Sequence, residues 1–374
     1  MRTSSVLESS NDVLVFDVET DTFNKGAWYD PRNSLVAIAY DDKCIRPHRE
    51  ELAEFQRRVA GASVLVGFNL KFDLHWLRRA GISFSGKRAY DIQYLHYLLT
   101  GQSHRWPSLN EVALKYLNEQ KLDKIKEYWD NGVQTTDIPW EELSAYAIQD
   151  VALTRKLYET IELPENRKSI FSLAMQDLLV LLEIEKNGFK YNREGSLQKA
   201  QEYENEIEQI KSRNDLEHRV PDFNWGSPDQ ISALLFGGSI YRDIKVPIGV
   251  YKSGARAGQV KYGTEQVEYK LPRRYKPIGK TPGGKPTTDD DTLIKLGRDG
   301  IAGEIQTIRK LQKEVSTYLR GIPAQQDKGN YGHEIIYGQF NQAVTATGRL
   351  SSSNPNLQNL SEAVQEFFVS RYEH

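Results

Sequence analysis

Between about residues 13 and 100 the chain alternates short apolar runs with segments of helical period, and no other feature of its 374 residues constrains the fold as strongly. Residues 13–16, 35–40 and 64–68 read as buried strands, while 72–79 and 92–99 place apolar side chains three and four apart and read as helices. Strands interleaved with helices predict an α/β layout around a central sheet. Ser108-Leu-Asn-Glu111 has the spacing of a capping box and predicts a helix through Leu117. A longer helix follows over 140–161.

Leu163-Pro-Glu-Asn breaks this pattern, and beyond it the periodicity is that of long helices over 168–185 and 196–213. Asn187-Gly188 between them is a helix-stop signal. Ser227-Pro-Asp-Gln predicts a short helix through Phe236, with serine as cap and proline at the first helical position. Thr288-Asp-Asp-Asp restarts a helix and 302–320 predicts another. The chain shows no internal repeat. Its charges nearly cancel, 49 basic against 51 acidic, yet the average hides a division along the chain. Residues 240–286 are rich in Gly, Pro, Lys and Arg, with Asp243, Glu265 and Glu268 as the acids. Tyr241, Tyr251, Tyr262, Tyr269 and Tyr275 interleave the basic residues, so the stretch is either a solvated loop or a surface for nucleic acid, where phosphates meet cations and bases stack on rings. Cys44 is the single cysteine, which excludes an internal disulfide and every multi-cysteine zinc site. No window approaches 18 apolar residues, and Met-Arg-Thr-Ser-Ser at the N-terminus lacks an apolar signal core. The expectation is a protein of the reducing cytoplasm (the host cell's, if the source is viral) with no membrane partner.

Asp17 and Glu19 sit two apart at the end of a predicted strand, so both carboxylates leave one face. Such a pair repels unless a cation lies between them or one is protonated. Alone it is also what a solvated strand end looks like. Asn69-Leu-Lys-Phe-Asp73 follows a strand and opens a helix, where an acid also serves as a cap. Tyr146 and Asp150, four apart, share a helix face, as on any amphipathic helix.

Taken in order, Asp17-x-Glu19, Asn69-x-x-x-Asp73 and Tyr146-x-x-x-Asp150 resemble the three motifs of the DEDD exonuclease superfamily in its tyrosine-bearing subtype. Asp91-Ile-Gln-Tyr-Leu and Ser108-Leu-Asn-Glu-Val-Ala match the intervening text. The resemblance implies a ribonuclease H-like domain with a central mixed sheet. It implies that Asp17, Glu19, Asp73 and Asp150 hold two divalent ions, Mg²⁺ or Mn²⁺ by the preference of oxygen ligands, that the Tyr146 hydroxyl orients the attacking water, and that Asn69 meets the DNA strand.

The second half carries the longest specific stretch, Phe340-Asn-Gln-Ala-Val-Thr-Ala-Thr-Gly-Arg-Leu-Ser-Ser-Ser-Asn-Pro-Asn-Leu-Gln-Asn359. It resembles the segment that leads into the palm of family A DNA polymerases, the group of bacterial DNA polymerase I and its bacteriophage relatives, and the resemblance implies the N-terminal half of a bacteriophage-type member. Leu182-Glu-Ile-Glu-Lys-Asn-Gly, Asn224-Trp-Gly-Ser-Pro-Asp-Gln and Lys310-Leu-Gln-Lys-Glu-Val resemble its thumb region. The implied organisation is a 3′-5′ exonuclease domain over 1–164, a mainly α thumb over 165–338 with a basic insertion at 240–286, and the start of a palm over 339–374. Arg349, Gln358 and Asn359 would touch the primer-template duplex, with Thr347 and Ser351 supporting their loop. Minor-groove acceptors shared by all base pairs let such contacts hold DNA without choosing its sequence. The family's palm Asp-Tyr-Ser, its fingers helix and its His-Asp-Glu turn do not occur in this sequence. Polymerisation is therefore expected to need palm and fingers from a second polypeptide, and a processivity factor at the 240–286 insertion is a further implied partner. Phe367-Phe368-Val369 would then be an apolar edge left unpaired. Gly279-Lys-Thr-Pro-Gly-Gly284-Lys285-Pro286 is not a phosphate loop, because proline stands where the motif needs a magnesium-binding hydroxyl. Two other readings stay open: a stand-alone RNA-trimming nuclease of the ribonuclease D kind, and a silent DNA-binding scaffold that completes a polymerase.

Overall fold

The computed structural model describes residues 12–120, 124–214, 216–329 and 334–371. The N-terminal Met-Arg-Thr-Ser-Ser stretch and the last three residues lie outside them. The described residues up to Asn192 and from Ala324 onward form one compact unit, and Arg193–Pro323 form a second.

The first unit begins with β1 (Val13–Thr20), β2 (Leu35–Tyr40) and β3 (Lys43–Ile45), then α1 (Arg49–Gly61), β4 (Val64–Gly67), α2 (Leu70–Arg79) and β5 (Arg88–Asp91). Among the described residues these five strands make one mixed sheet in the order β3-β2-β1-β4-β5. β1 runs antiparallel to β2 and parallel to β4, and β5 runs parallel to β4. Apolar runs with little alternation fit strands buried on both faces, and Leu14, Val15, Ile38 and Val66 have no exposed surface. α3 (Ile92–Leu99), α4 (Leu109–Leu117), α5 (Lys124–Asp130), α6 (Trp140–Thr160) and α7 (Glu165–Asn187) follow. α6 packs on β1 and β2, and α7 on β5. The capping box at Ser108 is present, its hydroxyl accepting from the Glu111 N–H and Glu111 accepting from the Ser108 N–H. α7 ends at Gly188 with φ 60°, as Asn187-Gly188 predicts, and a Cβ there would stand 2.5 Å from Ile335 Cγ2. β6 (Phe189–Tyr191) comes directly after it.

The second unit is mainly helical: α8 (Arg193–Arg213), α9 (Leu216–Arg219), α10 (Pro228–Phe236), α11 (Asp290–Leu296) and α12 (Ile301–Glu314). Ile210, Val220, Ile231, Leu234, Ala302 and Ile305 are part of its core. The helix expected over 302–320 is α-helical only to Glu314 and continues as a π-helical turn over Val315–Leu319. Between α10 and α11 the 240–286 stretch is not an irregular loop. It contains a long antiparallel hairpin of β7 (Gly238–Val250) and β8 (Val260–Leu271), with a register shift between Pro247 and Gly249. Alternating β-branched and aromatic residues sustain the ladder, and the glycine and proline fall at the irregularity.

α13 (Gly321–Asp327), β9 (Ile335–Ile336), β10 (Gln339–Asn341), β11 (Ser351–Ser353), α14 (Glu362–Gln365) and β12 (Phe368–Val369) complete the chain. β12 and β9 pair antiparallel with the two edges of β6. This corrects the expectation of an unpaired Phe367–Val369 edge: Phe367 is buried, and the Phe368 ring lies 5.1 Å from that of Tyr191. The sequence placed these residues correctly as apolar but could not show that β6, far away in the chain, receives them. Among the described residues no helix is long and apolar enough to cross a membrane.

Candidate active site

β1 presents Asp17, half-buried, and Glu19, buried, to one side of the sheet, level with Ala39 and Ala37 of β2. α6 supplies Asp150. Its buried stripe is Leu143, Ala147, Val151, Thr154 and Leu157, and Asp150 lies on the same side with 8% of its surface exposed. One carboxylate oxygen from each of Asp17, Glu19 and Asp150 comes within 4.8 Å of the others. Tyr146, one turn earlier on α6, is half-buried with its ring at 89° to that of Trp129, 5.9 Å between centroids.

Asp73 lies outside that oxygen cluster but belongs to its electrostatic field. It is 2% exposed, and its Oδ2 has no hydrogen-bond partner among the described residues. Burial pushes its carboxyl well above the usual range. The charges of Asp17, Asp91 and Glu19 push the same way, against a hydrogen bond from the Val18 backbone. An acid so placed is either protonated or waiting for a cation. Cys44 on β3 stands level with Ala39 and Asp17, and its thiol is pushed up to about 12 by burial and by Glu19 and Asp17. In this field it is a neutral thiol at neutral pH.

The start of α2 is held by Asp91 rather than by Asn69 or Asp73. Asn69 is left-handed (φ 63°, ψ 44°) and makes no side-chain cap, while Asp91 Oδ2 accepts from the Leu70 N–H at 2.8 Å and Oδ1 from the Asn69 N–H at 3.3 Å. The same carboxylate caps α3 through Gln93 and Tyr94. Burial raises the Asp91 carboxyl despite these donors.

The segment running from β10 to Leu360 forms a separate surface of the first unit. Thr347, Arg349, Gln358 and Asn359 are exposed, and Ser351 is half-buried, paired with Asn341. The hydrogen bonds that shape the segment come from Thr345 Oγ1, which donates to the Arg349 carbonyl, and from Ser352 Oγ, which lies between the Pro355 carbonyl and the Leu357 N–H. Thr345 and Ser352 were not singled out from the sequence, where they are two among several similar hydroxyl residues. Asn69, of the motif that carries Asp73, and Phe340–Ala343 of this segment line one small cavity.

A mixed sheet carrying carboxylates clustered from a strand and a helix is the arrangement of a ribonuclease H-like fold. Residues 3–164 match the family model described as 3′-5′ exonuclease, and residues 257–373 match that of DNA polymerase family A. The chain is therefore similar to family A DNA polymerases in two stretches, a 3′-5′ exonuclease domain over 3–164 and the start of a polymerase domain over 257–373. DNA polymerase I of Aquifex aeolicus is 26% identical over 360 residues, covering 91% of this chain and 52% of that protein. DNA polymerase I of Pseudomonas aeruginosa is 27% identical over 308 residues, covering 79% of this chain and 29% of that protein. The chain thus spans about half or less of the length of these relatives. The solved structure described as the POL domain of Pol1 from M. smegmatis in complex with DNA primer-template and dNTP shares the fold, with a TM-score of 0.64 at 21% identity over 95% of this chain and 54% of that one.

Proposed function

We propose that this chain is the proofreading and DNA-gripping part of a family A DNA polymerase acting in replication, removing 3′-terminal nucleotides by hydrolysis. The observation that carries the reading is the convergence of Asp17, Glu19 and Asp150 from a strand and a helix, with buried Asp73 beside them, inside a domain matched by the exonuclease family. An all-oxygen donor set with a partnerless buried carboxylate oxygen fits hard divalent cations, Mg²⁺ or Mn²⁺. Bound there by Asp17, Glu19, Asp73 and Asp150, two such ions would stabilise the attacking and leaving oxygens of phosphodiester hydrolysis. The chain's own contribution is position. β1 and α6 hold their carboxylates before substrate arrives, and the Tyr146 hydroxyl holds the attacking water by hydrogen bonding. Arg349, Gln358 and Asn359 offer exposed donors to the primer-template duplex, and the hairpin carries phosphate-binding charge on its outer half. Polymerisation draws on palm and fingers residues outside these 374, as from a second polypeptide, and the hairpin is also where a processivity factor would dock. The reading includes the bacteriophage-type affiliation that the sequence resemblance implies, beside the bacterial relatives of similar sequence.

The test is single-turnover digestion of a 3′-labelled DNA strand by the full chain with Mg²⁺ or Mn²⁺. Stepwise loss of 3′ nucleotides is expected, slowed at least about a hundredfold by Asp17→Ala, which removes a metal-holding carboxylate. RNA trimmed in preference to DNA would favour the ribonuclease D reading, against which the family A match over 257–373 stands. DNA bound but never trimmed would favour the silent scaffold.

A further inference from the structure

Helix α2 is used on two sides. Asp73 faces the carboxylate cluster, while Lys71 and His75, two residues before and after it, turn away together, since positions four apart share a helical face. Both reach one buried acid, Glu185, near the end of α7. Lys71 Nζ donates to Glu185 Oε1, and His75 Nε2 lies 2.7 Å from Glu185 Oε2. Glu185 is 3% exposed and accepts a third hydrogen bond, at 2.6 Å, from the backbone N–H of Phe340. Lys71 also donates to the Phe340 carbonyl, so β10 is gripped at both of that residue's backbone groups. The His75 ring is stacked on Trp28, 5.0 Å between centroids and 4° from parallel.

An acid buried this deeply destabilises the fold unless it is paired and its lone pairs are satisfied, and truncating one partner exposes that cost. Three donors from two distant segments satisfy this one. Around it the polymerase-like segment is fastened to the exonuclease fold at further points: Gln342 Nε2 donates to the Ala174 carbonyl of α7 at 2.9 Å, the Trp106 N–H to the Ala343 carbonyl at 3.0 Å, and the Tyr97 hydroxyl to the Thr345 carbonyl at 2.6 Å.

We propose that Glu185 is a positioning residue for the exonuclease site, holding α2 by Lys71 and His75 so that Asp73 stands correctly beside Asp17 and Glu19, and tying that placement to the segment that begins at Phe340. The proposal deepens the exonuclease reading and rests on it. It makes the segment carrying Arg349, Gln358 and Asn359 a mechanical neighbour of the hydrolytic site, joined to it through one carboxylate.

The experiment measures single-turnover hydrolysis of a labelled DNA strand by the full chain, well below the melting temperature of each variant, as a function of DNA and of Mn²⁺ concentration. For Glu185→Ala the maximal rate is expected to fall at least about tenfold and the half-saturating Mn²⁺ concentration to rise, with the half-saturating DNA concentration unchanged. Glu185→Gln keeps an oxygen for Lys71 and Phe340, and His75 can meet its amide in the other tautomer, so this variant should recover most of the rate. Should Glu185→Ala fail to fold, His75→Gln, which loosens a single arm, carries the same expectation at about threefold to tenfold. Folded variants with wild-type rate and wild-type Mn²⁺ dependence overturn the proposal, as does a loss seen in DNA affinity alone. A wild-type chain that hydrolyses no DNA would instead overturn the exonuclease reading, so the two failures are distinguishable.

Discussion

Asp150 occupies a position that the periodicity of its helix reserves for an apolar side chain, a cost that the cation of the proposed function would offset by joining it to Asp17 and Glu19. Tyr146 presents the complementary case, a ring packed at a right angle to that of Trp129 whose hydroxyl the proposed mechanism assigns to the attacking water. Tyr146→Phe keeps the packing and is expected to lower the hydrolysis rate about tenfold to a hundredfold, the lower part of what one positioned proton-handling group contributes, while leaving Mn²⁺ binding in place. Parallel rate and calorimetric metal-binding measurements check this, and an unchanged rate would remove the hydroxyl from the mechanism. At this scale the sequence was legible wherever spacing carried the signal: Asp17 and Glu19 two apart on a strand, Tyr146 and Asp150 four apart on a helix. It was silent on Glu185, whose partners lie 114, 110 and 155 positions away, because no local period links an acid in an amphipathic helix to a lysine so distant.

Single elements were legible to the extent that their ends carry chemistry. Ser108, Gly188, Ser227 and Asp289 terminate helices where their residue types predict. The start of α2 was not readable in this way, because its cap comes from β5 through Asp91. One carboxylate serving two helix starts predicts an unusual substitution pattern. Asp91→Ala should destabilise the fold by about 2–3 kcal/mol, two caps at roughly 1 kcal/mol each plus unsatisfied donors. Asp91→Asn can keep the oxygen facing Gln93 and Tyr94 but replaces the one facing Leu70, and should cost about 1 kcal/mol. Urea unfolding of both variants checks the order, and equal losses would show that the two caps are not separable. The hairpin of β7 and β8 marks the other limit of local reading. Its glycines and prolines suggested a loop, while the alternating Ile240, Ile244 and Val246 were the strand signal that composition obscured.

At the scale of the whole molecule, near-zero net charge conceals two opposed fields. The first unit gathers buried acids at one site, while between Asp243 and Glu265 the hairpin carries Lys245, Lys252, Arg256 and Lys261 with no acid among them. Tyr262 and Ile248 are more than half exposed there. Replacing Lys252, Arg256 and Lys261 together with Gln should weaken DNA binding uniformly across sequences and flatten the dependence of log K on log salt by about 2, at roughly 0.7 per phosphate on a single strand. Binding titrations from low to moderate salt measure this, and an unaltered slope would leave the hairpin without a role on DNA. Charge runs of this kind are visible in sequence, and so was the order of domains. The path of the chain between its two units was not.

That path has a consequence for how the protein is made. β6 is synthesised directly after α7, yet both of its partners, Ile335–Ile336 and Phe368–Val369, emerge only after the entire second unit. Until then Phe189 and Tyr191 wait with open edges, and Glu185 waits for Phe340. Closing a loop of about 150 unstructured residues carries an entropic cost that grows with the logarithm of its length, and prior folding of Arg193–Pro323 into a compact body shortens the effective loop. The order of synthesis therefore leaves β6 and Glu185 without these partners until the second unit and the segment from Phe340 onward have been translated.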